Sequence, residues 1–161
     1  MHMFSKANRF YGGHGIVGAQ VPIGVGLAFA HKYRNEKKIS RVYVGDGAMS
    51  NGQVFEAFNL ASLWNLPVLF IIENNRYGMG TAVNRSAAGK DLYERATVFG
   101  VEGEKINGMD FFEVSQAAIR ARDHIYENSK PYVIEMDTYR YRGHSMSDPA
   151  TYRTKDEVNE M

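Results

Sequence analysis

An aspartate flanked by glycines, Gly45-Asp46-Gly47, follows one apolar run at 41–44, and a paired amide, Asn74-Asn75, ends a second at 67–72. Two strand ends that carry hard oxygen donors can hold a divalent cation together with the diphosphate it neutralises. The glycines let the backbone turn sharply beside a helix expected to start near Ser50, and amides at a helix start favour phosphate. A carboxylate in the same place repels phosphate unless a cation lies between them. Magnesium meets that condition, taking about six oxygens from one or two carboxylates, phosphates and water. Asn75 offers a neutral amide oxygen, and a main-chain carbonyl near Tyr77 could complete the set. Taken alone, Gly-Asp-Gly also reads as a strand-to-helix turn with Asp46 as an ordinary cap; the paired amide at the next strand end favours the metal.

Two further groups of residues could carry chemistry. Gly13-His14-Gly15-Ile16-Val17-Gly18 matches the spacing of a dinucleotide fingerprint. That motif needs a strand before it and an acid about 20 residues on. No strand is expected here, and Glu36 lies in a charged loop. The glycines still permit a flat ligand to approach the backbone closely, or simply form a flexible lead-in to a helix. His144, in the segment 139–145 (YRYRGHS), is placed to donate to phosphate or to act as acid or base near neutral pH; a solvated loop histidine is the plainer reading. Arg140 and Arg142 share a face if that segment is extended. His2, His31 and His124 occupy terminal or helix-surface contexts and are assigned no chemistry.

The elements that must position these residues can be read from periodicity and punctuation. A mostly apolar helix is expected over 18–33, with small residues that let it pack closely, then a strand over 40–45. Ser50 or Asn51 is the expected cap of a helix running to Asn65, with Val54, Phe55, Phe58, Leu60, Ala61 and Trp64 along one face. Pro67 stops that helix and opens a strand over 67–73, followed by a polar, glycine-rich loop over 74–90 without regular structure. A short helix at 91–98, a weak strand at 101–106, a helix at 111–127 capped by Asp110 and a last strand at 131–141 complete the chain. Helices and strands alternate throughout. The expected fold class is α/β, a mostly parallel sheet with helices on both faces. Ligands of such sheets sit at the carboxyl ends of the strands, where Asp46, Asn75 and the loop after Tyr141 all fall.

Bulk properties narrow the class of function. The 161 residues, 44% of them apolar, suffice for one domain with a core. A net charge of +1 with interspersed signs favours neither nucleic acid nor an anionic membrane. With no cysteine, disulfides, thiolate metal sites and cysteine nucleophiles are excluded. No apolar stretch approaches the roughly 20 residues that span a bilayer. The opening MHMFSKANRFYGG has no leading strand and TKDEVNEM looks like a helix cut short, so the chain reads as a single domain, 1–161, incomplete at both ends.

The stretch GDGAMSNGQVFEAFNLASLWNLPVLFIIENNRYGMGT, with FYGGHGIVGAQVPIG before it and TYRYRGHSMSDPATYRT after it, resembles the α subunit of the pyruvate dehydrogenase E1 component. These are thiamine-diphosphate enzymes of the 2-oxo acid dehydrogenase complexes, and the resemblance covers nearly the whole chain. It implies Asp46 and Asn75 as magnesium ligands with the main-chain carbonyl of Tyr77 as a third, and Gly47 and Ala48 against the diphosphate. Gly15 and Val17 would contact the aminopyrimidine through backbone, and His144 would be the catalytic histidine beside the cofactor and the incoming lipoyl group.

The implied reaction is decarboxylation of pyruvate, then reductive acetylation of lipoyl groups on E2. The implied partners are an E1 β subunit, in an α2β2 heterotetramer, and the E2 lipoyl domain; no nucleic acid or membrane is implied. The implied compartment is the bacterial cytoplasm, or alternatively the mitochondrial matrix. In eukaryotic relatives the serine matching Ser145 is a regulatory phosphorylation site, whereas bacterial relatives generally carry the loop without the kinase; a hydroxyl that orders the loop is the plainer role. The glutamate that activates the aminopyrimidine comes from the β subunit in this family, and Glu56 does not match it. Branched-chain 2-oxo acid or acetoin dehydrogenases are the alternatives within the class. A dinucleotide-dependent oxidoreductase built on Gly13–Gly18, or a docking module built on the helix at 18–33, are the alternatives outside it.

Overall fold

The computed structural model describes residues 2–89 and 91–161. Lys90, the last residue of the expected loop at 74–90, lies outside the described residues, as does Met1. In chain order the elements are helix α1 (Gln20–Tyr33), strand β1 (Ser40–Gly45), a 3₁₀ turn (Asp46–Ser50), helix α2 (Gly52–Leu63) and strand β2 (Val68–Asn74). A small hairpin of β3 (Tyr77–Gly78) and β4 (Thr81–Ala82) follows, then single turns α3 (Val83–Ser86) and α4 (Glu94–Thr97). Strand β5 (Glu102–Asn107), helix α5 (Phe111–Asn128), strand β6 (Tyr132–Asp137) and helix α6 (Lys155–Glu160) complete the described residues.

The four long strands form one sheet in the order β1-β2-β6-β5, every neighbouring pair parallel. Of its inner strands, β2 carries a continuous apolar run, as a strand covered on both faces requires, and β6 does so except for the buried Glu135. The chain advances across the sheet from β1 through β2 to β5, then steps back to β6. Right-handed crossovers put the helix of a backward step on the opposite face from the helices of forward steps. Accordingly α1, α2 and α4 pack with Val42, Val44, Phe70 and Ile72 on one face, where Phe58 meets Phe70 edge-on at 4.8 Å. Helix α5 covers the other face through Ala117, Ala121 and Ile125, each one turn from the next, against Leu69, Ile71 and Ile134. The expected α/β class with a parallel sheet and helices on both faces is what the structure has. Because all strands run the same way, Gly45, Asn74, Asn107 and Asp137 finish at one rim.

Several boundaries differ from expectation for local reasons. Helix α2 stops at Leu63 rather than Asn65, because Asn65 adopts a left-handed conformation (φ 49°). Asn51 occupies its cap position but makes no side-chain capping bond; its Nδ2 donates to the Val17 carbonyl. The segment expected to lack structure folds into the β3–β4 hairpin, with Arg76 (φ 71°) and Met79 (φ 53°) supplying the reversals; its backbone groups, pressed against the rim, need partners. The helix at 91–98 shrinks to the single turn α4. Strand β6 ends at Asp137, not at Tyr141, since β2 and β5 both end at the matching register and leave it nothing to pair with. Asp110 caps α5 as expected, accepting from the N–H groups of Phe112 (2.8 Å) and Glu113 (3.1 Å).

Two glycines of α1 give opposite predictions. A Cβ on Gly24 would lie 2.0 Å from Val42 Cγ2, whereas one on Gly26 would meet nothing within 4 Å. Gly24→Ala should therefore lower stability in urea unfolding by about 1–3 kcal/mol through overpacking. Gly26→Ala should raise it by about 0.5–1 kcal/mol through helix propensity. Equal effects of the two substitutions would contradict the packing described.

Candidate functional site

The rim brings Asp46, Asn75 and the Tyr77–Gly78 strand together. Asp46 opens the 3₁₀ turn after β1 and is buried, at 6% exposure. Its Oδ2 is enclosed and has no hydrogen-bond partner. Burial pushes its carboxyl above the ordinary range; N–H groups of Asn75 and of Asp46 itself and the field of Arg140 only partly offset this. Gly47 and Gly78 make the closeness possible: a Cβ on either would come within 3.1 Å of the other's Cα. A Cβ on Gly78 would also stand 3.9 Å from Asp46 Oδ2.

The amide pair divides its work. Asn74 is buried and turned under the rim, donating from Nδ2 to Glu135 Oε1 (2.7 Å) and accepting from Arg76 N–H at Oδ1 (3.1 Å). Asn75 stays half-buried, its Oδ1 taking a long hydrogen bond from Tyr77 N–H (3.3 Å). The Tyr77 carbonyl accepts from Arg140 Nη1 (2.9 Å), which uses one of its two acceptor positions and leaves the other. Among the described residues no group of three histidine, aspartate or glutamate side chains could hold a metal. The available donors are therefore one carboxylate, one amide and one carbonyl, an all-oxygen set that suits magnesium completed by phosphate and water.

Gly15 and Val17 lie exposed on the lead-in to α1. The Val17 carbonyl is clamped by Asn51 Nδ2 (3.0 Å) and Gln53 Nε2 (3.1 Å) at the head of α2. Gly18 has φ +82°, and a Cβ on it would lie 3.1 Å from Gln53 Nε2, so a side chain there would be strained and crowded. The lead-in thereby sits beside the turn that carries Asp46, Gly47 and Ala48. With Asn51 so engaged, no side chain caps the first amides of α2, which leaves them free for an anion. The dinucleotide fingerprint gains no support here: the described residues before it form only the isolated bridge between Ser5 and Phe10.

His144 is exposed, on a segment organised by Asp148. The Asp148 carboxylate accepts from His144 N–H (2.7 Å), Ala150 N–H (2.9 Å) and Tyr152 O–H (2.8 Å), which hold it below the ordinary carboxylate range. Arg140, expected on a shared face with Arg142, instead turns inward. Its Nη2 donates to the Met79 carbonyl (2.6 Å) and Tyr152 Oη (2.8 Å). Ser145 Oγ meets Ser147 Oγ at 3.1 Å. Farther along, Arg153 lies over the rings of Tyr139 and Tyr152, at 5.3 and 5.9 Å. Glu157 accepts from Tyr77 Oη (2.9 Å) and Tyr139 Oη (3.0 Å). Arg140 and Glu157 thus fasten the segment after β6 onto the β3–β4 hairpin.

Sequence reasoning missed Glu135, Asp148, Arg153 and Glu157. Only Glu135 carried a legible signal, an acid within the apolar strand PYVIEMD.

The buried charge predicts an exchange of stability for binding. Because the folded state raises the Asp46 pKa above 3.8, native protein binds its proton more readily than unfolded chain does. Stability is therefore lost as pH rises through that raised value. In the absence of metal, Asp46→Asn should be more stable than the parent above this window by about 1 kcal/mol, with the difference vanishing at lower pH. Urea midpoints across pH measure this, and a variant less stable at neutral pH would refute it.

Among proteins of known type, the family model described as "Dehydrogenase E1 component" matches residues 1–161. The pyruvate dehydrogenase E1 component subunit alpha of Rickettsia bellii is 58% identical over 98% of this chain and 48% of its own length. That of Rhizobium meliloti is 57% identical over 100% of this chain and 46% of its own. The mitochondrial subunit of Saccharomyces cerevisiae is 55% identical over 100% of this chain and 38% of its own. The chain spans about half the length of the bacterial relatives it matches. With the match running from end to end, this chain belongs to the dehydrogenase E1 component family.

Proposed function

We propose that this chain is the magnesium- and diphosphate-holding portion of an E1 α subunit that uses thiamine diphosphate. With a β subunit it decarboxylates pyruvate and reductively acetylates lipoyl groups of E2, feeding acetyl-CoA formation. The observation that carries the reading is Asp46 Oδ2, enclosed without a partner beside a half-buried amide and a backbone carbonyl. A buried carboxylate oxygen left unpaired is costly, and a cation removes the cost.

When bound, the cofactor supplies the carbanion chemistry at its thiazolium ring. The chain's own residues bind and orient. Asp46, Asn75 and the Tyr77 carbonyl hold the metal, and Gly47 and Ala48 let the diphosphate reach the uncapped start of α2. The Gly15–Val17 backbone, clamped through the Val17 carbonyl, meets the flat aminopyrimidine. His144, exposed on its Asp148-organised segment, faces the acyl acceptor and holds or delivers a proton there. The α2β2 assembly and E2 lipoyl domain are the partners in this reading. The bacterial relatives at 57–58% identity support a bacterial cytoplasmic setting.

Calorimetric titration with thiamine diphosphate, in the presence of the β subunit, tests this. Binding should require magnesium and should be lost in Asp46→Ala. Equal binding with and without the metal would defeat the reading and favour a metal-independent ligand at Gly13–Gly18.

A further inference from the structure

Glu135 lies in the middle of β6 and is fully buried, at 0% exposure. An inner strand of a parallel sheet is best served there by an apolar side chain, since burying a carboxylate costs several kcal/mol unless it is fully bonded. Here every group around it is a donor. Oε2 accepts from the N–H groups of Leu92 (2.6 Å) and Tyr93 (3.0 Å), and Oε1 from Asn74 Nδ2 (2.7 Å). The Lys105 ammonium stands 3.9 Å from Oε1 and is itself held by Asp91 at 2.8 Å. Only a group that accepts on both oxygens satisfies this shell, which excludes glutamine as an equal substitute.

The consequence lies one residue from Asn75. Asn74 has its main-chain carbonyl bonded by Thr138 N–H (2.9 Å) and Thr138 Oγ1 (3.2 Å), and its Oδ1 bonded by Arg76 N–H. Arg76 N–H can only donate, so it needs the amide oxygen; the amide nitrogen must then find an acceptor, and Glu135 is that acceptor. Asn75 is the residue bridged by this Asn74-to-Arg76 turn, and the Tyr77 carbonyl follows directly. We propose that Glu135 is a positioning residue of the metal site. Acting through Asn74, it fixes the turn that presents the Asn75 amide and the Tyr77 carbonyl. It touches neither metal nor cofactor. The inference rests on the proposed metal-binding role of that turn.

The donor pattern supplies a test with its own rescue. In Glu135→Gln, the new amide oxygen keeps Leu92 and Tyr93 while its nitrogen confronts Asn74 Nδ2. Asn74 relieves that clash only by flipping, which then opposes its nitrogen to Arg76 N–H and releases the turn. Adding Asn74→Asp restores an acceptor toward both neighbours at once. The measurement is manganese(II) affinity, read by electron paramagnetic resonance with thiamine diphosphate present, in the full-length chain assembled with its partner subunit.

Glu135→Gln should weaken the metal by roughly 10–100-fold, the range for groups that support metal ligands from behind, and the double variant should recover most of it. Parent-like affinity in Glu135→Gln, or a loss the second substitution does not restore, overturns the proposal. If Glu135→Gln does not fold, Asn74→Ser carries the test: it cuts the link while keeping the Leu92 and Tyr93 bonds, and unchanged affinity there is equally fatal. Absence of metal-dependent binding in the parent would instead defeat the metal site itself.

Discussion

A carboxylate oxygen held out of water with nothing to bond to is the constraint from which the rest of this structure follows. Asp46 Oδ2 is in that condition, and the surrounding chain keeps it so. The parallel sheet delivers Asp46 and Asn75 to the same rim. Gly47 and Gly78 let the two crossing loops close on each other. Arg140 bonds the Tyr77 and Met79 carbonyls instead of the carboxylate, so its field moderates the charge without satisfying it. A fold optimised only for stability would have placed an amide or an apolar residue at Asp46. Retaining the acid leaves a buried carboxylate oxygen uncompensated.

The segments around the site are held by polar contacts rather than by the core. The lead-in at Gly15–Gly18 hangs from two amide side chains at the head of α2. The segment after β6 hangs on the β3–β4 hairpin through Arg140 to the Tyr77 carbonyl, Arg153 over the Tyr77 ring and Glu157 to Tyr77 Oη. Such attachments are individually weak and partly exposed, so these segments belong to the low-stability end of the molecule. Two buried apolar clusters, one per face of the sheet, carry the fold beneath them. Binding parts can therefore adjust without loosening the sheet.

Much of this was legible in the sequence, and what was not has physical causes. The strand at 67–73 was readable because an inner parallel strand is a continuous apolar run, the strand at 40–45 because its β-branched residues alternate between core and solvent, and the Asp110 cap because its acceptor acts on its own next residues. That Asp46 and Asn75 fall at the ends of neighbouring strands on one rim was legible from turn chemistry and spacing alone. The β3–β4 hairpin was not: two-residue strands have no periodicity, and their reversals fall on Arg76 and Met79, not on glycines. The end of β6 was missed because it is set by where β2 and β5 stop. The role of Asn74 was not legible, since only the fold reveals that Glu135, 61 positions away, takes its amide.

Whether Asp46 Oδ2 is a metal ligand can be read from a crystal structure of the full assembly with manganese(II) and thiamine diphosphate. Anomalous scattering would locate the ion independently of any assumed chemistry. One ion is expected within coordination distance of Asp46 Oδ2 and Asn75 Oδ1, with the diphosphate held beside it. An ion seated elsewhere, or a diphosphate bound while Asp46 Oδ2 faces only protein, would contradict it.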